Sequence, residues 1–276
     1  MIKDIVVNLS LDDGRDPAAE FAVSTAAALD AHLAALAFTY EPFIPAMDMG
    51  ALPSDLIEIQ REENERRSAN ATSRFDELAR RNRISAETRS IEAASATASD
   101  IFARVARRFD LSIVSQPRPD SPGSDALFVE APLFGSGRPV LVVPYIQQTG
   151  LKLDRVMVCW DGSRAAARAT ADALPLLARA GTTEVVTVTD GSGDQDEIPG
   201  IDIAKHLARH GIKVELKRVV RGDVDVANVI LSHAADTSAD LIVMGGYGHS
   251  RLREFVLGGA TRGLLKSMTA PTFMSH

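Results

Sequence analysis

The stretch DLIVMGGYGHSRLREFVLGGATRGLL, residues 240–265, is the most informative part of this sequence. A short apolar strand comes first, a glycine-rich loop follows it, and a helix comes last. Gly258 and Gly259 open that helix, with Thr261 in its first turn. Unpaired N–H groups at a helix start, together with the helix dipole, bind anions. The stretch predicts a phosphate-sized anion site between its two groups of glycines. A glycine-rich turn before an ordinary helix is the simpler alternative.

Similar segments occur in the same order in the other half of the chain. Each half opens with a short apolar strand that ends near an Asp-Gly pair, at Ile5–Gly14 and at Arg155–Gly162, and an Ala-rich helix follows. Late in each half, DLSIVSQ (110–116) resembles DLIVMGG (240–246). This internal repeat predicts a duplicated unit. The two expected domains are 1–146 and 154–276, joined where IQQTGLKLD loses the apolar pattern.

Short Val-, Ile- and Leu-rich segments alternate with helical ones, which favours an α/β fold with a parallel sheet covered on both faces. A doubly wound sheet of five strands is expected in each half. In the second half we expect strands at 155–160, 183–189, 213–220, 241–245 and 271–275, with helices at 163–180, 198–210, 223–239 and 258–268. In the first half we expect helices at 17–33 and near 54–82, separated by a loop at 42–53 that is a candidate lid.

Composition limits the classes of function. The chain has 276 residues and a net charge of −7, which argues against a nucleic-acid binder held by phosphate electrostatics. Its single cysteine, Cys159, forms no internal disulfide or cysteine-based metal cluster. No apolar run has the length of a signal peptide core or a membrane helix, so we expect a cytoplasmic protein that does not contact membranes. P-loop and GxGxxG motifs are absent, which excludes two common nucleotide-binding classes.

The glycine pattern Gly245-x2-Gly248-x9-Gly258, followed by Gly259-Ala-Thr, resembles the nucleotide-binding signature of the universal stress protein family. VMVCWDGS, residues 156–163, resembles that family's opening strand and its acidic residue. The second half matches over essentially its whole length. The first half matches in strand order but not in the glycine motif, so the chain resembles a tandem universal stress protein.

The resemblance implies a flavodoxin-like (Rossmann-like) strand order, 3-2-1-4-5, in each half, with ATP or another adenine nucleotide at the carboxyl ends of strands 1 and 4. Mg²⁺ is a possible companion of the nucleotide. Asp161 would contact the nucleoside, Val188 or Thr189 the adenine, and Met244 and Gly245 the ribose. The residues that would hold phosphates are Gly248, Gly258, Gly259, Ala260 and Thr261, with His249 beside them. For Asp161, a helix cap over 163–180 is the alternative role.

The first half keeps acids at Asp12 and Asp13, but three prolines follow its fourth strand, at Pro117, Pro119 and Pro122. Because proline has no N–H donor, this half is not expected to hold phosphates. We therefore expect one nucleotide per chain.

Single-domain members of the resembled family usually pair through the last strand, so we expect segments 139–144 and 271–275 to pair as a built-in pseudo-dimer. Further homodimerisation is left open.

The expected function is a stress-response protein that binds ATP in its second half and acts by binding and signalling. Two alternatives remain open: a slow, metal-dependent ATPase and a nucleotide-free interaction module.

Overall fold

The computed structural model describes residues 1–41, 54–118, 124–191, 200–246 and 259–276. Strands and helices alternate along the chain. The first half contains β1 (Asp4–Asn8), α1 (Pro17–Leu29), β2 (His32–Tyr40), α2 (Ser54–Asn82), β3 (Ala86–Ala93), α3 (Ala98–Ala106), β4 (Leu111–Ser115), α4 (Ser124–Gly135) and β5 (Val140–Val143). The second half contains β6 (Arg155–Cys159), α5 (Arg164–Leu177), β7 (Thr182–Thr189), α6 (Ile201–Arg209), β8 (Val214–Val220), α7 (Val226–Asp236), β9 (Leu241–Gly245), α8 (Gly259–Ser267) and β10 (Thr272–Ser275).

Within the described residues, ten strands form one continuous sheet in the order β3-β2-β1-β4-β5-β10-β9-β6-β7-β8. Each half therefore has the order 3-2-1-4-5, and all pairs inside a half are parallel. This confirms the α/β fold class and the flavodoxin-like order.

The two halves meet through their last strands. β10 pairs with β5 in antiparallel orientation, with Phe273 opposite Leu141 at the centre of the register. Each of these short strands would otherwise be an unpaired edge, so the pairing satisfies backbone groups that an isolated half would expose. The expected pairing of the last strands is confirmed. The domain boundaries at 146 and 154 stay a prediction.

Alternating side chains of the strands build two apolar layers. Val7 and Val158 face one layer, which is covered by α1, α2, α5 and α6. Val6 and Met157 face the other layer, which is covered by α3, α4, α7 and α8. A parallel sheet buried on both faces explains why its strands read as continuous apolar runs.

One expected helix is too long. The Ala-rich segment was expected to be helical over 17–33, but α1 ends at Leu29 and β2 begins at His32. Asp30 ends the helix in a left-handed conformation, with φ of 50°. Its backbone N–H bonds back to carbonyls of the last turn. Alanine suits both a helix and a tightly packed central strand, so composition alone did not place this boundary.

The charged helix near 54–82 is confirmed as α2, while the candidate lid at 42–53 lies outside the described residues. None of the described helices combines the length and apolar content that crossing a membrane requires.

Candidate functional site

The strand order of the second half reverses at β6, which lies between β9 and β7. The helices that follow β6 and β9 lie on opposite faces of the sheet. Their chains therefore diverge and leave a crevice at the carboxyl ends of the two strands. Trp160 and Asp161 follow β6 at this edge, and Gly245 ends β9 there. Two motifs far apart in the sequence are thus brought to one place.

Asp161 lies exposed in the short turn between β6 and α5. Its Oδ1 accepts a hydrogen bond of 2.9 Å from the Ser163 N–H, which holds the turn closed. Ser163 is the residue that caps α5, because its Oγ accepts a 3.1 Å bond from the Ala166 N–H. The alternative in which Asp161 caps this helix is therefore wrong. Asp161 shapes the turn and presents a carboxylate at the crevice.

β7 extends beyond the end of β6. The last backbone bond between them runs from the Trp160 N–H to the Val186 carbonyl, at 2.9 Å. Because backbone groups on a strand alternate between its two neighbours, the N–H and C=O of Val188 point to the same side as those of Val186. At Val188, however, β6 has already ended. One backbone donor and one acceptor are consequently directed into the crevice.

Thr189 has its polar groups on the other side. Its carbonyl accepts a 2.9 Å bond from the Arg221 N–H, and the Arg218 guanidinium donates to its hydroxyl at 3.2 Å. Of the two residues expected to meet adenine, the geometry favours Val188.

Gly245 is required by packing inside the protein. A Cβ added there would lie 2.5 Å from the Ala166 nitrogen and 2.8 Å from the Ala165 Cβ. The φ angle of Gly245 is not positive. The sequence analysis assigned Gly245 to the ribose of a ligand, whereas the structure shows that α5 closely approaches β9 at this residue. The neighbouring Met244 is only 6% exposed and its side chain packs in the core, so only its backbone is suited to a ligand.

α8 begins at the same edge of the sheet. A Cβ added to Gly259 would meet no described atom within 4 Å. The N–H groups of Gly259 and Ala260 lie at the N-terminal end of α8 as described, where the helix dipole favours an anion. Thr261 itself is only 3% exposed, which limits its hydroxyl as a direct ligand group. Three other expected site residues, Gly248, His249 and Gly258, lie outside the described residues.

Cys159 ends β6 but is not a nucleophile. Burial raises the pKa of its thiol from 9.0 to about 12, and the carboxylate of Asp161 acts in the same direction. The thiol therefore stays protonated at neutral pH. In the described ranges, no group of three or more His, Cys, Asp or Glu side chains is placed to hold a metal ion.

The first half has its own crevice, and it differs in chemistry. The Leu9 N–H bonds the Leu36 carbonyl as the Trp160 N–H bonds that of Val186, so Leu9 corresponds to Trp160 and Ser10 to Asp161. We expected Asp12 or Asp13 to occupy the position of the acid that follows strand 1. This expectation is wrong, because the strand register places Ser10 at that position. Asp12 and Asp13 both lie in a longer loop that ends at Asp16, the cap of α1.

A cavity of about 460 Å³ occupies this first-half crevice. Asn64 and Arg67 of α2 line it together with Arg118, whose guanidinium pairs with Asp12 at 2.7 Å. The sequence analysis did not find this cavity. Polar side chains on α2 were the sequence signal that could have revealed this cavity. The sequence analysis concentrated on the glycine pattern, to which α2 does not belong.

Among known proteins, the similarity in sequence to a family model lies in the second half of the chain. Residues 152–276 match the model of the universal stress protein family. A universal stress protein of Synechocystis sp. is 32% identical over 144 residues, which are 49% of this chain and 45% of that protein. The match thus spans less than half the length of this relative.

Two solved structures are also similar. The first is a universal stress protein from Archaeoglobus fulgidus DSM 4304, with a TM-score of 0.72 at 16% identity, covering 98% of this chain and 97% of that one. This likeness shows the fold. The second is a universal stress protein family protein from Arabidopsis thaliana, solved with AMP bound. It has a TM-score of 0.36 at 12% identity and covers 51% of this chain and 91% of that one. Residues 152–276 of this chain are thus similar to the universal stress protein family, and the chain has the fold of the Archaeoglobus structure over nearly its whole length.

Proposed function

We propose that this chain is a stress-response protein that binds one adenine nucleotide, ATP, in the crevice of its second half, and that it acts by binding and signalling. The observation that carries the proposal is the extension of β7 beyond β6. It directs the N–H and C=O of Val188 into the crevice, where a neighbouring strand would otherwise pair with them. An adenine edge carries an amino donor beside a ring-nitrogen acceptor, which complements one backbone C=O and one N–H.

The other groups at this edge suit the rest of the nucleotide. Asp161 presents an exposed carboxylate, which accepts hydrogen bonds from sugar hydroxyls. The first turn of α8 supplies backbone N–H groups for phosphate, and Gly259 leaves space beside them. Gly248, His249 and Gly258 belong to the proposed site on the sequence pattern alone. The AMP of the Arabidopsis structure is a property of that protein, so the proposal depends on the geometry of this chain.

Mg²⁺ is expected to arrive with the phosphates. In nucleotide sites this ion is held by phosphate oxygens, water and only one or two carboxylates. Asp161 is a described carboxylate at this edge, and Asp190, which follows β7 there, is already paired with Arg221.

Gly259→Val tests the phosphate end of the site. The new side chain meets no described atom at its Cβ, so we expect the fold to survive, as judged by circular dichroism. Where the phosphates are proposed to lie, it removes space. Calorimetric titration with MgATP should give one equivalent for the unmodified chain and at least tenfold weaker binding for the variant.

Lys266→Val is the matched control, because it places the same β-branched residue at the exposed far end of the same helix. It should bind MgATP like the unmodified chain. Equal affinity of Gly259→Val and the control would contradict the assignment of α8 to the phosphates. An unmodified chain that binds no MgATP would favour the interaction module, and formation of ADP would favour the slow ATPase.

A further inference from the structure

A buried glutamine connects the two halves. Gln116 directly follows β4 in the first half and is only 1% exposed. Its side-chain Nε2 donates a 2.8 Å hydrogen bond to the Leu265 carbonyl of α8, in the second half. Its Oε1 accepts a 3.3 Å bond from the Tyr145 N–H, and its own backbone N–H bonds the Val143 carbonyl at 2.8 Å. Both ends of the amide are thus used, and one of them reaches the helix proposed to bind phosphate.

The counterpart of Gln116 in the second half makes a different contact. Gly246 follows β9 as Gln116 follows β4, and its N–H bonds Ser275 as that of Gln116 bonds Val143. A Cβ added to Gly246 would lie 2.8 Å from a methyl group of Leu133 on α4. At this crossing an apolar side chain packs directly on glycine. A hydrogen bond from a side-chain amide to a helix carbonyl is therefore present where the end of β4 meets α8, and is absent where the end of β9 meets α4.

The bonded carbonyl lies at the end of a short helix. α8 has nine residues, and Leu265 is in its last turn, where carbonyls have no partner further along the helix. Gln116 supplies the missing donor from the other half. The proposed phosphate contacts at Gly259 lie roughly 9 Å away along the same helix axis. Because a helix this short moves as one unit, fixing one end constrains the other.

We propose that Gln116 is a positioning residue for the nucleotide site: it fixes α8 from the first half and thereby places the first-turn N–H groups that meet the phosphates. The inference rests on the proposed function for its readout with ATP. Gln116 itself touches no part of the proposed nucleotide. Its influence is confined to α8, because Val188 and Asp161 belong to β7 and to the turn after β6. Loss of the hydrogen bond should weaken binding of phosphates and leave the nucleoside contacts unchanged.

Two variants of the full chain test this role. Gln116→Glu keeps the acceptor for the Tyr145 N–H and removes the donor to the Leu265 carbonyl when its carboxyl is ionised, so it is measured at pH values up to 9. Gln116→Met fills the same space without either group and serves if the buried carboxylate prevents folding. Ile113→Val, in the buried part of β4, is the control, since it loosens the first half on the opposite face of the sheet from α8.

Three quantities are measured for each protein: affinity for MgATP, affinity for adenosine, and hydrogen exchange of the amides of residues 263–265, which bond carbonyls of the first turn of α8. We expect the Gln116 variants to bind MgATP about five- to tenfold more weakly, to bind adenosine as before, and to exchange those amides faster. The Ile113→Val control should change none of the three relative to the unmodified chain.

Equal losses of ATP and adenosine affinity would overturn the proposal, because they indicate a general loosening of the site. Unchanged ATP affinity with unchanged exchange would also overturn it. If the unmodified chain binds no ATP, the proposed function fails by itself. The exchange rates then decide the positioning role alone, with faster exchange supporting it and unchanged exchange refuting it.

Discussion

At the scale of single residues, glycine is needed for different reasons at two positions of the same sequence motif. Gly245 is needed because the backbone of α5 passes where its Cβ would be. At Gly259 an added Cβ would meet no atom of the described residues within 4 Å, so this part of the fold does not require glycine there. In the sequence both belong to one glycine pattern and were assigned to a bound nucleotide, Gly245 to its ribose and Gly259 to its phosphates. The packing of α5 against β9 distinguishes the two residues. The fold requires glycine at Gly245, whereas at Gly259 the proposed ligand would require it.

Gly245→Ala should destabilise the protein even without a ligand. The added Cβ would be 2.5 Å from a backbone nitrogen, which cannot move as a flexible side chain can. Overpacking of this kind costs about 1–3 kcal/mol of unfolding free energy. Chemical denaturation measures it, with Gly259→Ala as the matched control that should change stability by only a few tenths of that cost. Equal stabilities of the two variants would show that β9 and α5 can separate freely.

At the scale of elements, the turn between β6 and α5 divides two tasks between neighbouring residues. Ser163 caps the helix through its hydroxyl, and Asp161 closes the turn through one carboxylate oxygen. The cap stabilises the helix, whereas the Asp161 carboxylate lies exposed just after the end of β6. A substitution of Ser163 should therefore affect stability, and a substitution of Asp161 should affect ligand binding.

Ser163→Ala should lower the unfolding free energy by about 1 kcal/mol, the usual cost of losing a helix cap, and leave the affinity for MgATP nearly unchanged. Asp161→Asn keeps an oxygen for the Ser163 N–H but loses the charge. It should keep the stability and bind MgATP several-fold more weakly. Thermal unfolding and calorimetric titration of both variants check the pair, and a reversed pattern would assign the ligand contact to Ser163.

Apolar periodicity was sufficient to predict most elements, because each buried strand of the second half is a short run bounded by polar residues. Three features could not be obtained this way. The end of α1 depends on the left-handed residue Asp30, which follows an Ala-rich run that suits either structure. The match of Ser10 with Asp161 depends on strand register. The direction of the Val188 backbone depends on where β6 ends relative to β7, which is a property of the pair and of neither strand alone.

At the scale of the whole molecule, the duplicated halves share a strand order and differ at their crevices. Ser10 stands where the second half has Asp161. Pro117 provides no N–H donor after β4, and the guanidinium of Arg118 is already paired with Asp12. Asp125 adds a carboxylate to the lining of the first-half cavity. Pro119 and Pro122, which were part of the same expectation, lie outside the described residues.

The chain should therefore bind one equivalent of ATP. A carboxylate about 4 Å from a phosphate charge costs roughly 1 kcal/mol even in water, which adds to the loss of backbone donors in the first half. Calorimetric titration to saturation gives the stoichiometry, and Gly259→Val should remove the single binding event. A second equivalent that persists in this variant would show that the first half also takes nucleotide.

The antiparallel pairing of β5 with β10 has one further geometric consequence. Because the strands of the two halves run in opposite directions, their carboxyl ends open at opposite edges of the common sheet. A molecule seated at one crevice leaves the other fully approachable from the far side. Two bodies recognising the two crevices would not collide, so the tandem arrangement has the geometry of a two-sided connector. The crevice proposed for the nucleotide lies on one side, and the polar cavity of the first half faces away from it.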